Sequence, residues 1–327
     1  MVLKLLPALA PFLLLAAPAA PQEKPSGLAK SAEIVLEGGT SFDYVNVDAA
    51  ANRLFVAHGP KIDVVDPKKG AVVGEVTGVD GSHGAIAVHE VKRGFATAGR
   101  KNRLIAFDLE TYKTQKEIET GQNPDALLYV ASVGEVWTFN GRSKNISCID
   151  ASTLEVKATI ALGGKPEAPV EHPEKGLVYV NLEDKSAIAV VDSKKHEVVA
   201  THSLAPGEEP TGLAFDAKNG LLFAGCGNKK LVAIDLSTWK VAGTADIGEH
   251  CDGVAFDPGT GNVFASAKDK TGGLHVQGPA SFEALTPLET PGGKTCAIDP
   301  RTHTLYVTSG PPRGAAGAVK VLVFSPP

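Results

Sequence analysis

Seven polar residues recur along the chain at intervals of 40 to 44 residues, and their types could bind a cation or a polar molecule. They supply four carboxylates, one imidazole, one hydroxyl and one ammonium group: Asp43, His83, Asp125, Glu167, Thr211, Asp252 and Lys294. Oxygen-rich carboxylate sets favour Ca²⁺ or Mg²⁺, whereas an imidazole favours a transition metal. A small polar ligand and a merely solvated polar surface are the alternatives. The spacing requires a repeated structure that brings these residues together.

An aromatic residue lies twelve positions after each of these polar residues. The aromatic residues stand in short apolar runs and are Phe55, Phe95, Trp137, Tyr179, Phe223, Phe264 and Tyr306. A period of about 42 residues filled with strand-forming residues is typical of a β-propeller, in which each repeat forms one four-stranded blade. We therefore predict an all-β fold over residues 31–327, with seven four-stranded antiparallel blades. The aromatic residues are interpreted as packing between blades, not as a ligand site.

Two further signals locate the strands within each repeat. An Asp ends most third strands and is predicted to cap the turn that follows; these residues are Asp66, Asp108, Asp150, Asp192 and Asp235. The last repeat lacks a fourth strand, and an unassigned apolar segment, Glu33–Leu36, precedes the first repeat. We expect this segment to complete the last blade, because closure removes an exposed sheet edge. Deleting residues 31–38 should therefore destabilise the whole domain.

The repeat places the seven polar residues at the start of the innermost strands, around the mouth of a central channel. Three positions after each aromatic residue, the second strand ends close to the innermost strand of the next repeat. By this logic His58 should lie beside His83, and Cys226 near Cys251. His250 is adjacent to Cys251 in sequence and is included among the candidate ligand-binding residues. Cys226 and Cys251 are compatible with a disulfide, two free thiols or, with His250, a soft-metal site, and export favours the disulfide.

The N-terminus indicates export. Lys4 precedes an apolar segment, and Ala17-Pro-Ala19 fits the small residues before a signal peptidase site, so we predict a signal peptide over residues 1–19. Residues 20–30 are expected to be a flexible leader. The apolar segment is short for a membrane span, so we expect a periplasmic or secreted monomer without a stable membrane anchor. The net charge of −5 gives no basic excess for nucleic acid.

Several segments resemble the YVTN-repeat, YncE-like branch of seven-bladed propellers. The residues that carry the resemblance are Leu177–Val180, Ile188–Asp192, Leu305–Thr308, and the Pro- or Gly-containing openings Asn123–Leu127, Glu209–Leu213 and His250–Val254. The resemblance covers nearly the whole exported chain. It implies an exported propeller, in a family that is mostly without an assigned reaction. The sequence departs from the pattern at Ser82–Gly84, which lacks the proline.

The resulting functional expectation is a binding or scaffold protein. It would recognise a protein, a peptide or a small polar ligand at the channel mouth, with a divalent cation as the one cofactor that the residues suggest. The alternative is a lactonase-like or metal-assisted propeller hydrolase that uses the same face. The sequence contains no Gly-x-Ser-x-Gly, His-Glu-x-x-His or Cys-x-x-Cys-His motif, which disfavours an enzyme.

Overall fold

A computed structural model describes residues 24–39, 41–267, 273–277, 284–311 and 315–327. The predicted signal peptide, residues 1–19, lies outside the described residues. The first strand is β1 (Ala29–Leu36). The next three sheets follow in chain order: β2–β5 (Phe42–Asp48, Arg53–His58, Lys61–Asp66, Ala71–Val76), β6–β9 (Ala85–Val88, Arg93–Ala98, Arg103–Asp108, Thr114–Glu119) and β10–β13 (Pro124–Val130, Glu135–Asn140, Asn145–Asp150, Val156–Ala161).

The second half of the chain continues the pattern. Its sheets are β14–β17 (Pro166–His172, Leu177–Leu182, Ala187–Asp192, Glu197–Ser203), β18–β21 (Pro210–Asp216, Leu221–Cys226, Lys230–Asp235, Lys240–Asp246), β22–β25 (Cys251–Phe256, Val263–Ala267, Gly273–Gln277, Ala284–Glu289) and β26–β28 (Gly293–Asp299, Thr304–Ser309, Val319–Ser325), to which β1 adds the fourth strand. Short 3-10 helices span His89–Val91, Gly99–Lys101 and Glu183–Lys185. We number the sheets 1 to 7 in this order, from β2–β5 to β26–β28 with β1.

The sheets are arranged around a central channel. The first strand of each sheet contacts the first strand of the next, and β26 of sheet 7 contacts β2 of sheet 1. All strand pairs within the sheets are antiparallel. The fold is therefore an all-β propeller of four-stranded antiparallel blades, as the sequence predicted.

The recurrent aromatic residues pack between neighbouring sheets. All seven have at most 5% of their surface exposed, and the apolar clusters around them join residues of adjacent sheets. Phe55 of sheet 1, for example, lies in one cluster with Ala96 and Ile105 of sheet 2. The prediction that these residues serve packing is confirmed.

The recurrent Asp residues cap their turns as predicted. The side chain of Asp66 accepts hydrogen bonds from the backbone N–H groups of Lys68 and Lys69 at 3.0 and 3.1 Å. Asp150 does the same for Ser152 and Thr153, and hydrogen bonds led by the Ser152 hydroxyl lower the pKa of Asp150 to about 2. These carboxylates fix the turns between the third and fourth strands. Their hydrogen bonds are made within the turns, so we assign them no part in a ligand site.

The N-terminal strand completes the last sheet. β1 pairs antiparallel with β28, from Ala29 opposite Ser325 to Leu36 opposite Val319. It is longer than the predicted segment Glu33–Leu36, because it begins at Ala29 within the predicted flexible leader. Lys24, also in that leader, bridges to Leu285 of sheet 6. Lys24 and the residues from Ala29 onwards are thus paired with the sheets.

Candidate functional site

The predicted polar residues occupy one equivalent position at the channel mouth. Six of them are the second residue of the innermost strand of their sheet, and His83 lies two residues before β6. In sheets 1 and 3 to 7 the pairing register shifts within a few residues of this position, as between Phe42 and Val45 or between Cys251 and Gly253. Such bulges re-aim side chains at the end of a strand. They separate the polar residue of each sheet from the regular ladder.

Three residues from three different sheets meet at the mouth. Nδ1 of His83 lies 2.7 Å from a carboxylate oxygen of Asp43 and 3.3 Å from one of Asp125. One potential ligand atom from each of these residues lies within 4.8 Å of the other two. Their side chains are partly buried, with 16 to 24% exposed. This cluster is therefore a candidate cation site at the mouth.

Lys294 completes the cluster from sheet 7. Its ammonium group donates to the carboxylate of Asp43 at 2.8 Å and to the backbone carbonyl of Phe42 at 3.3 Å. Asp43 therefore lies between two partners, the ammonium group of Lys294 and the imidazole of His83. A metal ion that binds Asp43 has to compete with both.

The protonation states follow from burial and from these pairs. Burial alone would raise the pKa of Asp43, but its hydrogen bond to His83 and the charge of Lys294 hold it below its usual value. Burial would lower the pKa of His83, yet Asp43 and Asp125 raise it. Burial and the neighbouring Asp43 raise the pKa of Asp125 despite His83. Asp43 and His83 thus stabilise each other's charged forms.

Glu167 forms a second pair at the mouth. Its carboxylate lies 2.8 Å from the ammonium group of Lys165, which also contacts Glu183. Burial and the charge of Asp125 raise the pKa of Glu167 to about 8, although Lys165 opposes the shift. Burial and Asp125 thus favour the protonated form of this carboxyl group, which in that form can donate a hydrogen bond.

One cavity adjoins the cluster, and a second one lies within the channel. A cavity of about 1340 Å³ is open towards solvent, and Asp43, His83 and Lys294 line it together with Arg100 and Arg142. A second cavity of about 560 Å³ lies within the channel and is lined mainly by apolar groups, with Tyr44 and Asp252 among its polar residues. Asp43 and His83 of the cluster line the outer cavity, and none of the three cluster residues lines the inner cavity within the channel.

The remaining predicted ligands lie apart from the cluster. The hydroxyl of Thr211 donates to the backbone carbonyl of Cys251, so it joins sheets 5 and 6. Asp252 lines the inner cavity. His250 is an exposed loop residue with a φ of 51°, and it lines neither of the two cavities described above.

The prediction that His58 lies beside His83 is wrong. His58 is fully buried; its Nδ1 lies 2.7 Å from Asp63 and its Nε2 lies 2.7 Å from the carbonyl oxygen of Gly39. Phe55 and His58 are three residues apart in one strand, so they face opposite sides of sheet 1. Phe55 packs towards sheet 2, and His58 therefore faces away from it. Both ring nitrogens are engaged within the protein, which argues against a ligand-binding role for His58.

Of the alternatives for Cys226 and Cys251, the structure has two free thiols and not the disulfide that export favoured. Cys226 packs with Tyr179 and Leu213 between sheets 4 and 5, whereas Cys251 packs with Phe223 and Ala265 between sheets 5 and 6. The two sulfur atoms therefore lie on opposite faces of sheet 5. Cys226 follows Phe223 by three residues in one strand, so the two side chains project from opposite faces of sheet 5.

Sequence reasoning missed residues that position the cluster. Tyr44 lies in the channel, where burial and the surrounding carboxylates, led by Asp125, raise its pKa well above the usual value. The hydroxyl of Thr97 accepts hydrogen bonds from the backbone N–H groups of His83 and Gly84, both at 3.2 Å. Gly99 lies against the imidazole, and a Cβ there would approach Nε2 of His83 to 2.9 Å. The sequence signal that could have found Thr97 is its position two residues after the aromatic residue Phe95.

Comparisons with known proteins support the fold alone. The structure is similar to Kuenenia stuttgartiensis hydrazine synthase, with a TM-score of 0.73 and 12% sequence identity over 81% of this chain and 92% of that chain. Neither a protein-family model nor a curated protein matches the sequence. Within the described residues, no helix is long and apolar enough to cross a membrane.

Proposed function

We propose that this chain is an exported, seven-bladed propeller of the YVTN-repeat type that binds a divalent cation and a small polar ligand at its channel mouth. The observation that carries the proposal is the meeting of Asp43, His83 and Asp125, from three sheets, within 4.8 Å of one another. A single sheet could not bring these side chains together, so the site exists only in the assembled ring.

The ligand set favours a transition metal. Two carboxylates and one imidazole are an intermediate set that suits Mn²⁺, Fe²⁺ or Zn²⁺ better than Ca²⁺, which prefers oxygen ligands only. The metal must displace the proton shared by His83 and Asp43, because a ligating imidazole is neutral. Binding should therefore strengthen as the pH rises through the raised pKa of His83, and it should release a proton.

The outer cavity supports a small ligand as the second component. It is large enough for a drug-sized or metabolite-sized molecule, which typically occupies about 300–1000 Å³. Arg100, Arg142 and Lys294 line it, so a ligand with a carboxylate or another anionic group would find cationic partners above the metal. A protonated Glu167 could donate a hydrogen bond at the neighbouring position.

The test is isothermal titration calorimetry of the protein without residues 1–19, using Mn²⁺, Zn²⁺ and Ca²⁺ separately. We expect one equivalent of Mn²⁺ to bind, and Asp125→Asn and His83→Gln to weaken it and to remove the part of any Zn²⁺ binding that belongs to the mouth. Asp246→Asn, on the outer strand β21 with 84% of its side chain exposed, is the matched control. No heat and no thermal shift with any of the three ions would reject the cation site. Ester or lactone hydrolysis that depends on His83 would favour the hydrolase alternative.

A further inference from the structure

A second group of metal-ligating side chains lies between sheets 3 and 4, away from the channel mouth. It consists of Glu135, Cys148 and His196, each with one potential ligand atom within 4.8 Å of the other two. Glu135 and Cys148 are buried, and His196 keeps 23% of its side chain exposed. Glu135 begins β11 and Asn140 ends it near the mouth, so the group lies towards the opposite face of the propeller.

The sheet geometry holds the first two residues on one surface. Trp137 pairs with Cys148 across β11 and β12, and Glu135 is two residues before Trp137 on the same face. The indole N–H of Trp137 donates to a carboxylate oxygen of Glu135 at 2.8 Å. This bond fixes the orientation of a buried carboxylate towards the neighbouring sheet.

The third residue comes from sheet 4. His196 lies in the turn between β16 and β17 with a φ of 53°, and its Nε2 is 2.9 Å from the same Glu135 oxygen. Its ring lies 6.0 Å from that of Trp137. The imidazole thus spans the space between the two sheets. Because it is partly exposed, a metal ion would reach the group from solvent beside His196.

The repeat shows that these residues differ in chemical type from their equivalents in other sheets. The residues equivalent to Cys148 in other sheets are apolar: Val64, Ala106, Val190 and Ala233. The residues equivalent to His196 are Gly70, Tyr112, Leu154 and Trp239, which share its positive φ. Trp239 packs on Tyr179 of the preceding sheet at 5.8 Å, as an interblade packing residue should.

The position of Glu135 also differs from its equivalents in other sheets. The residues equivalent to Glu135 are Arg53, Arg93, Leu177 and Leu221, so an acid occurs there only in sheet 3 among these five sheets. Three positions that are separate in sequence therefore change together where they meet in space. All three change to side chains that bind metals. The buried acid is paired, because the Glu135 carboxylate is hydrogen-bonded to Trp137 and His196.

We propose that Glu135, Cys148 and His196 form a binding site for a thiophilic divalent metal ion of the Zn²⁺ class. One thiolate, one imidazole and one carboxylate are all ligands that Zn²⁺ accepts, and three protein ligands leave a fourth position for water. On binding, Cys148 loses its proton to solvent and the metal replaces the proton between His196 and Glu135. Trp137 then serves as a positioning residue that orients the ligating carboxylate.

Cobalt absorption tests the site on the same protein without residues 1–19. Co²⁺ bound to a thiolate gives a sulfur-to-metal charge-transfer band in the near ultraviolet, which a carboxylate and imidazole site cannot give. We expect the band in the wild type and its loss in Cys148→Ala. Alanine fits this position, because Ala106 and Ala233 occupy it in other sheets. Cys226→Ala, at another buried thiol, is the matched control and should retain the band.

Further variants separate this site from the channel mouth. Asp125→Asn should leave the cobalt band unchanged, and Trp137→Phe should weaken Co²⁺ binding by about 10–100-fold. Absence of the band in the wild type, or its persistence in Cys148→Ala, would overturn the proposal. If Cys148→Ala does not fold, alkylation of the wild type replaces it as the test. Zn²⁺ must then protect one thiol, which peptide mapping must identify as Cys148. Equal alkylation of Cys148 with and without Zn²⁺ would also overturn the proposal.

Discussion

Closure of the ring by β1 makes a quantitative prediction at Ile34. Its side chain is 1% exposed and packs in one cluster with Val45 and Val56 of sheet 1 and Val321 of sheet 7. Ile34→Ala removes three carbon atoms, worth about 2.4 kcal/mol at about 0.8 kcal/mol each, and leaves a cavity besides. We expect a loss of about 3–4 kcal/mol in the free energy of unfolding.

The neighbouring residue is the control, because it faces the other way. Val35 has 54% of its surface exposed, so Val35→Ala should cost less than about 1 kcal/mol. Urea unfolding is followed by the fluorescence of Trp137 and Trp239, which lie in sheets 3 and 5, far from β1. If β1 closes a cooperative ring, the Ile34→Ala midpoint falls at these remote reporters. An unchanged tryptophan transition, with the loss confined to sheet 7, would refute the closure argument.

Three further predictions concern buried titratable groups. Burial raises the pKa of Glu167 from 4.5 to about 8, so the folded protein retains this proton and stability is lost as the pH rises between those values; Glu167→Gln should flatten that decline in thermal melts between pH 4 and 9. His58→Ala leaves the buried Asp63 with Lys61 as its described cationic partner and should cost about 3 kcal/mol in urea unfolding, whereas a change below 1 kcal/mol would argue against the buried pair. A thiol reagent should react with four free cysteines in denaturant without prior reduction. Reaction with only two would indicate that the disulfide is present.

Much of the fold followed from the sequence, because its signals are local and repeated. The aromatic residues marked the second strand of each blade, and the Asp residues marked the turns through hydrogen bonds within three residues. The polar residues twelve positions earlier marked the innermost strands. Asp43, His83 and Asp125 meet in the structure because those strands begin at the same end of the channel.

The errors have one physical cause. Counting along the sequence gave the height of His58 and Cys226 in their strands, but not the face on which their side chains project. Each lies three residues after its aromatic residue and therefore points to the opposite side of the sheet. The group of Glu135, Cys148 and His196 was missed because its residues come from three strands and turns of two repeats. A comparison of equivalent positions between repeats was the signal that could have found it.

Crystals grown with Mn²⁺ test the central claim most directly, through anomalous diffraction at the manganese edge. The account predicts one strong anomalous peak within coordination distance of Asp43, His83 and Asp125, with Lys294 turned away from Asp43. No peak at the channel mouth at a saturating Mn²⁺ concentration, with the Asp43–His83 hydrogen bond intact, would contradict it.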